Sequence, residues 1–240
     1  MLKSFIQYIL NLSAPVVQEI KGETYSDKQL HRISYIPYAN EIRMNTLSSL
    51  IEYIKSGVDK FSGKMIIHVQ SPTLVSMYSA LDVERNRENI VEVRASVPEF
   101  DFNRFIGHES FVIGVQSKFV DNPDTDKALL LKFAGTVEAG SVAEYGDDGV
   151  SQKATVKTGI ASKGDAIIPS PARLKPFRTF VEVDQPISSF IFRMKDERCG
   201  GVQCALFEAD GGAWKISAME AIKEYLIKEL EDFDNFIIIS

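Results

Sequence analysis

Residues Phe177–Trp214 read FRTFVEVDQPISSFIFRMKDERCGGVQCALFEADGGAW, and the fold class turns on this stretch. Its pattern has period two. Over Arg178–Asp184, Thr179, Val181 and Val183 are β-branched while Arg178, Glu182 and Asp184 are charged, with Phe180 the exception. Successive strand side chains point to opposite faces, so this alternation predicts a strand with one face on a core and one in water. Gln185-Pro186 ends it, because proline has no N–H to give to a ladder. Phe190, Phe192 and Met194 alternate with Ile191 and Arg193 in a second strand. Val202, Cys204 and Leu206 alternate with Gln203, Ala205 and Phe207 in a third. Between these two, Asp196-Glu197-Arg198-Cys199-Gly200-Gly201 places charge before paired glycines, a hairpin signal. Asp210-Gly211-Gly212 breaks the third strand and a helix follows.

Working outward, that helix runs from about Lys215 to Leu230, with Ile216, Met219, Ile222, Leu226 and Leu230 on one side. Glu220–Lys223 and Glu224–Lys228 pairs decorate the other side. The tail Phe236-Ile237-Ile238-Ile239 is an apolar, strand-like run that needs a sheet edge, in the same subunit or in another copy. Upstream, Val142–Tyr145 and Gln152–Thr158 flank Gly146-Asp147-Asp148-Gly149 as a hairpin. Two helices, His108–Val120 and Asp126–Val137, form a helical hairpin about the breaker Asp121-Asn122-Pro123. Lys64–Gln70, Leu74–Ala80 and Ile90–Val97 read as a meander, and 31–37 as a short strand. Asn45 or Thr46 caps a helix over Leu47–Lys55 that Gly57 stops. Segregated strands and helices predict an α+β fold. Its sheet is antiparallel or mixed, built from meanders and hairpins, with the helical hairpin and the C-terminal helix packed on it. The expectation is one domain over 1–240, with a weak subdivision near 121–140.

Hydrophobic content of 45% and charged content of 25% are those of an ordinary globular protein. A net charge of -6 argues against broad affinity for nucleic acid but leaves room for a local basic groove. Met1–Leu12 carries Leu2, Phe5, Ile6, Ile9 and Leu12 at helical spacing. It is too short to span a bilayer and Lys3 is its only cation, so it reads as an amphipathic helix docked on the body. No membrane association is expected, and the cytoplasm is the simplest location. Cys199 and Cys204 flank a turn without any C-x-x-C or His/Cys cluster, and read as a turn thiol and a small buried residue.

No nucleophile elbow, phosphate loop or H-E-x-x-H motif is present. His68 lies mid-strand and His108 at a helix start, both structural positions. No cofactor is expected. Glu182 and Asp184 on one strand, with Glu208 and Asp210 at the end of another, form the one carboxylate set that neighbouring strands could converge on Mg²⁺. The simpler reading is a solvated sheet face on which Arg178 and Arg193 neutralise them. Lys163, Arg173, Lys175 and Arg178 form the densest cationic segment, with Phe177 and Phe180 interleaved as a single-stranded nucleic-acid groove requires.

Pro176–Pro186, followed by Ser189-Phe190 and Arg193, resembles the signature of the YfdQ-like family encoded by phages and prophages. Leu206–Trp214 resembles its second signature, and Ala221-Ile222 with Tyr225-Leu226 its closing helix. Leu47–Tyr53 and Phe102–Phe119 resemble it more loosely. The resemblance is specific over about the last third of the chain. It implies a cytoplasmic location in an infected host and an accessory role in infection, and it supplies no catalytic residues.

The favoured expectation is therefore a non-enzymatic binding or assembly module, homo-oligomeric, acting on a phage or host macromolecule. Its candidate polar surface is Arg173, Lys175, Arg178, Glu182, Asp184, Arg193, Glu208 and Asp210. The alternatives are a nucleic-acid-associated protein using the cationic segment, and a metal-dependent phosphodiester enzyme using the four carboxylates.

Overall fold

A computed structural model describes residues 2–13, 15–29, 38–61, 63–136, 142–147, 152–156, 166–167, 169–197 and 201–240. It divides into two compact units, Met1–Tyr38 and Ala39–Ser240. In chain order the first holds α1 (Leu2–Ser13), β1 (Val17–Ile20) and β2 (Glu23–Ser26). Lys21 (φ 55°) and Gly22 (φ 81°) make the two-residue turn that joins β1 to β2, both in the left-handed region that such a hairpin turn requires. The predicted strand at 31–37 lies outside the described residues.

The second unit runs β3 (Ile42–Met44), α2 (Leu47–Ser56), β4 (Met65–Ser71), β5 (Leu74–Ser79), β6 (Asn89–Arg94) and β7 (Ile106–Gly107). Then come α3 (His108–Lys118), α4 (Lys127–Thr136), β8 (Val142–Asp147), β9 (Gln152–Val156), β10 (Ala166–Ile167) and β11 (Ala172–Leu174). It ends with β12 (Ser188–Glu197), β13 (Gly201–Glu208), α5 (Ala213–Glu229) and β14 (Phe236–Ile239). The fold is α+β, as the segregation of strand and helix patterns predicts.

One core lies on a five-stranded sheet of order β14-β4-β5-β6-β3. The meander β4-β5-β6 is antiparallel, and β14 and β3 flank it in parallel register. The apolar tail thus finds its edge within its own subunit, Phe236 opposite Met65 and Ile238 opposite Ile67. Leu47, Leu50, Ile51 and Ile54 from α2 pack with Ile67, Val75, Met77 and Val93 from the sheet and with Ile222 and Leu226 from α5. The α2 termini follow from the sequence. The Thr46 side chain accepts the Ser49 N–H at 3.2 Å, and Gly57 ends the helix at φ 59°. On α5 the buried row is Ala218, Ile222 and Leu226, continued by Leu230 at the helix end. Ile216, expected on that row, is 64% exposed, because four-residue steps back from Ile222 arrive at Ala218 and not at Ile216.

The other core lies on the sheet β11-β12-β13-β7 and is covered by α3 and α4. Phe111, Val115, Leu130 and Phe133 from the helices meet Phe190, Phe192, Met194 and Leu206 from the strands. Lys127 is 5% exposed and bridges the helical hairpin. Its Nζ donates to the carbonyls of Gln116 at 3.2 Å and Phe119 at 2.6 Å, and pairs with Asp121 at 2.7 Å. A cation there meets the negative end of the α3 dipole and satisfies its orphan carbonyls. His108 Nε2 lies 2.5 Å from the Ala134 carbonyl oxygen, so the Nε2–H tautomer fastens α3 to α4. This is a structural role, as the position of His108 at a helix start suggests.

The decisive stretch departs from its reading in one element. Ser188–Glu197 and Gly201–Glu208 are strands in register, Phe192 opposite Leu206, as predicted. Residues 177–187 form no strand. The third strand of the predicted three-stranded unit is instead β11, whose Ala172 lies opposite Phe190. Val181, expected on the same face as Thr179 and Val183, is 72% exposed, while Thr179 is 1% and Val183 9%. The chain turns between them, and Gln185 is the reason.

Candidate binding cleft around Arg178

The Gln185 side chain sits inside the 177–187 turn and replaces a ladder. Its Oε1 accepts the backbone N–H of Arg178 at 2.8 Å and of Thr179 at 3.1 Å. Its Nε2 donates to the Phe180 carbonyl at 2.9 Å. Thr179 Oγ1 donates to the Pro72 carbonyl at 2.5 Å, tying the turn to the β4–β5 connection. Buried backbone groups need partners, and one glutamine here serves four of them, the Val183 carbonyl at 3.4 Å included, that strand neighbours would otherwise serve. The turn then sends its side chains to two cores. Phe180 and Val183 enter the five-stranded sheet's core. Arg178 goes the other way, to the aromatic edge of the second.

Arg178 is buried, with only 7% of its side chain exposed. Its guanidinium carbon lies 4.2 Å from the Trp214 ring centroid, 5.2 Å from Phe190 and 5.3 Å from Phe102. Each ring offers a negative π face to the cation. Nη1 donates to Glu208 Oε1 at 2.6 Å. Burial pulls the Arg178 pKa below its usual value, against the upward pull of Glu208 and Asp210. The guanidinium stays protonated at neutral pH, since arginine starts so far above it. Nε and Nη2 are buried and have no hydrogen-bond partner, and neither does Nε1 of Trp214.

The elements around Arg178 are individually fastened. Trp214 is placed by Asp210-Gly211-Gly212. Asp210 Oδ1 accepts the Gly212 N–H at 3.0 Å, and Gly211 (φ 62°) and Gly212 (φ 82°) take the left-handed backbone that turns β13 into α5. Phe102 is placed by Asn103. That residue donates its backbone N–H to Leu206 O at 2.8 Å, and its Oδ1 accepts the Glu208 N–H at 3.0 Å. Asn103 sits at φ 60°, which asparagine tolerates better than most side chains. Phe177 is held by its N–H to the Lys118 carbonyl at 3.0 Å. Arg178, Trp214, Phe102 and Phe177 line a cleft of about 600 Å³, with Thr73, Val97, Pro98, Glu99, Phe100, Asp101 and Lys118 completing its wall. Lys118 Nζ donates to the Glu99 carbonyl oxygen across it.

The eight residues expected to form one polar surface do not share one. Only Arg178 lines the cleft; Glu208 pairs with it and the charge of Asp210 acts on it. Arg173 is exposed on β11. Lys175 is buried and pairs with Asp184 at 2.5 Å, itself 83% exposed. Glu182 turns to the start of α2, where Oε1 accepts the Ser48 N–H at 3.1 Å, a carboxylate at the positive end of a helix. Arg193 Nη1 donates to the Phe192 carbonyl at 3.2 Å. Once 178–184 is a turn, the alternation that placed Glu182 and Asp184 on one face no longer holds. The four carboxylates go to separate partners, and among the described residues no group of three or more His, Cys, Asp or Glu is placed to hold a metal ion. Of the cationic segment, Lys175, Arg178 and Phe180 are buried, so Arg173 alone of its described cations is exposed. Lys163 and Cys199 lie outside the described residues. Cys204 is fully buried, and burial pushes its thiol up to about 12.

The sequence patterns gave Trp214, Phe102 and Lys118 no place among the candidate site residues. The available signal was compositional. The run Phe100-Asp101-Phe102-Asn103-Arg104-Phe105 is too aromatic for an exposed connection. No family model, curated protein or solved structure matches this chain.

Proposed function

We propose that the protein is a non-enzymatic binding module whose working site is the Arg178 cleft. The observation that carries this is the placement of unmet hydrogen-bonding capacity. Among the described residues, six buried side-chain atoms lack a partner, and three of them are N–H donors on Arg178 and Trp214, which line one cleft. Leaving a buried donor unpaired costs about 1–3 kcal/mol, more for a charged one, so such groups concentrate where a ligand completes them. Aromatic walls around a few polar groups are the usual composition of a binding pocket. The phage or prophage accessory role is part of the same proposal. It rests on the resemblance of 176–193 and 206–214 and on nothing in the geometry.

Trp214 is the chain's single tryptophan, so its indole N–H gives one resolved NMR signal. A screen of small neutral, cationic and anionic compounds, followed on a ¹⁵N-labelled sample, tests the reading. Saturable shifts centred on the Trp214 indole and the Arg178 amide support it. Compounds that shift signals elsewhere, while these two stay fixed throughout the screen, would overturn it.

A further inference from the structure

We infer that the Arg178 cleft takes a ligand carrying a monoanionic carboxylate on an apolar body. This rests on the cleft being a binding site and names the chemistry it selects. Nη1 of Arg178 is engaged by Glu208, while Nε and Nη2 are unpaired. Those two nitrogens form the side-on edge of a guanidinium, whose parallel N–H bonds match the two oxygens of a carboxylate. The indole Nε1–H of Trp214, whose ring lies 4.2 Å from the guanidinium carbon, adds a third unpaired donor. Three unmet donors and no unmet acceptor on these two side chains call for a ligand group that only accepts.

The charge balance decides between anions. Lys118 and Arg178 line the cleft, but so do Glu99 and Asp101, and Arg178 is already shared with Glu208. With Asp210, whose charge also acts on Arg178, and Lys215, 5.9 Å from the Trp214 ring, a phosphoryl dianion would meet four carboxylates against three cations, whereas a single negative charge is matched by the unpaired guanidinium edge. The walls Phe100, Phe102 and Phe177 supply the apolar contact. The folded protein has already taken Arg178 out of water, so pairing there strips water only from the incoming carboxylate. Nε and Nη2 are covered by surrounding side chains, so the proposal includes a side-chain rotation that uncovers them, a common change at binding sites.

The test uses the full chain and the emission of Trp214. The probes are phenylacetate, its uncharged amide phenylacetamide, phenyl phosphate, and a blocked peptide ending in phenylalanine with a free C-terminal carboxylate. The two carboxylates are expected to give saturable changes, with phenylacetate bound roughly tenfold more tightly than the amide, the scale of a charge-assisted pair. Their ranking tells a free organic acid from a peptide C-terminus. Glu208→Gln removes the competing carboxylate from an exposed position and is expected to tighten phenylacetate several-fold, and Arg178→Met to abolish the difference between acid and amide. Because Arg178→Met also removes a buried ion pair and three ring contacts from the fold, the acid–amide ratio and the Glu208→Gln shift carry the decision. Equal affinity for acid and amide, or tighter binding of phenyl phosphate, overturns the carboxylate assignment while leaving the cleft a binding site. No response to any probe overturns the assignment, and the NMR screen then decides the site on its own.

Discussion

The side-chain oxygen of Gln185 lies 2.8 Å from the backbone nitrogen of Arg178, seven residues earlier in the chain and on the opposite side of the turn. That bond, with its 3.1 Å companion to Thr179, fixes where Arg178 leaves the main chain and so where the cleft has its cation. Gln185→Leu keeps the volume and removes both acceptor and donor. Two buried N–H groups would then be unpaired, at about 1–3 kcal/mol each. Urea unfolding should show a loss of about 2–6 kcal/mol, together with a shifted Trp214 emission. A loss below about 0.5 kcal/mol would show that Gln185 does not hold the turn.

Gly114 tests the wall of the cleft from the helix behind it. A Cβ at this position would meet Phe100 Cε2 at 2.9 Å. Phe100 cannot yield freely, since its ring packs 5.0 Å from Phe119 and 4.8 Å from Phe102. Two effects oppose each other in Gly114→Ala. Helix propensity favours alanine by about 1 kcal/mol, while overpacking costs about 1–3 kcal/mol. The second wins where the neighbour is itself packed, so a net loss of about 1 kcal/mol is expected in chemical denaturation. The displaced Phe100 should also alter the NMR signal of the Trp214 indole. A stabilised variant would mean that the aromatic group repacks without strain.

What the sequence makes legible here is what local physics alone decides. Periodicity placed α2, and its caps Thr46 and Gly57 are local chemistry. The β12–β13 pairing followed from alternation interrupted by glycines. The turn at 177–187 was illegible because Thr179, Val181 and Val183 mimic a strand, and a single glutamine side chain overrides them. Nothing local reveals that Gln185 points inward. The candidate surface failed for the same reason, since its even-numbered face existed only if the strand did. Arg178 was singled out with Arg193 as neutralising the four carboxylates, without a particular partner, and the one it meets is Glu208, 30 positions away. Its stacking on Trp214 depends on two left-handed glycines and the angle at which α5 leaves β13, which no spacing rule supplies.

Lys127 and Lys55 separate a buried lysine from a surface one. Lys127 has 6% of its side chain exposed and closes the end of α3 with three bonds. Lys55 pairs with Glu229 at 3.3 Å with 46% and 34% of the two side chains exposed. Lys127→Met retains the aliphatic stem but leaves buried carbonyls unsatisfied, a loss of about 2–3 kcal/mol. Lys55→Met should change stability by less than about 0.5 kcal/mol, because exposed pairs are screened by water and salt. Denaturation at low and high ionic strength checks both. Equal losses in the two variants would contradict the role of Lys127 as a helix-end clamp.

Cys204 gives the chain a signature in alkaline solution. Burial alone holds its thiol at about 12 in the folded protein, against about 8.5 for an unfolded cysteine. A raised pKa stabilises the fold fully below the unfolded value and is lost as pH rises from there towards the folded one. The window is thus about pH 8.5 to 12, and by pH 10 the unfolded thiolate has removed roughly 2 kcal/mol. Tyr53 is also raised to about 12, by burial first and then by its bond to Asp59, so absolute slopes mix the two groups. The comparison is therefore between Cys199→Ser and Cys199→Ser/Cys204→Val, unfolded in urea at pH 7 and pH 10. The first should lose about 2 kcal/mol more than the second on going to pH 10. In the first protein, a thiol reagent at pH 8 should label Cys204 only as fast as the chain opens, since a buried thiol is neither ionised nor accessible. Rapid labelling of the native protein, or identical alkaline losses in the two variants, would contradict a sealed Cys204.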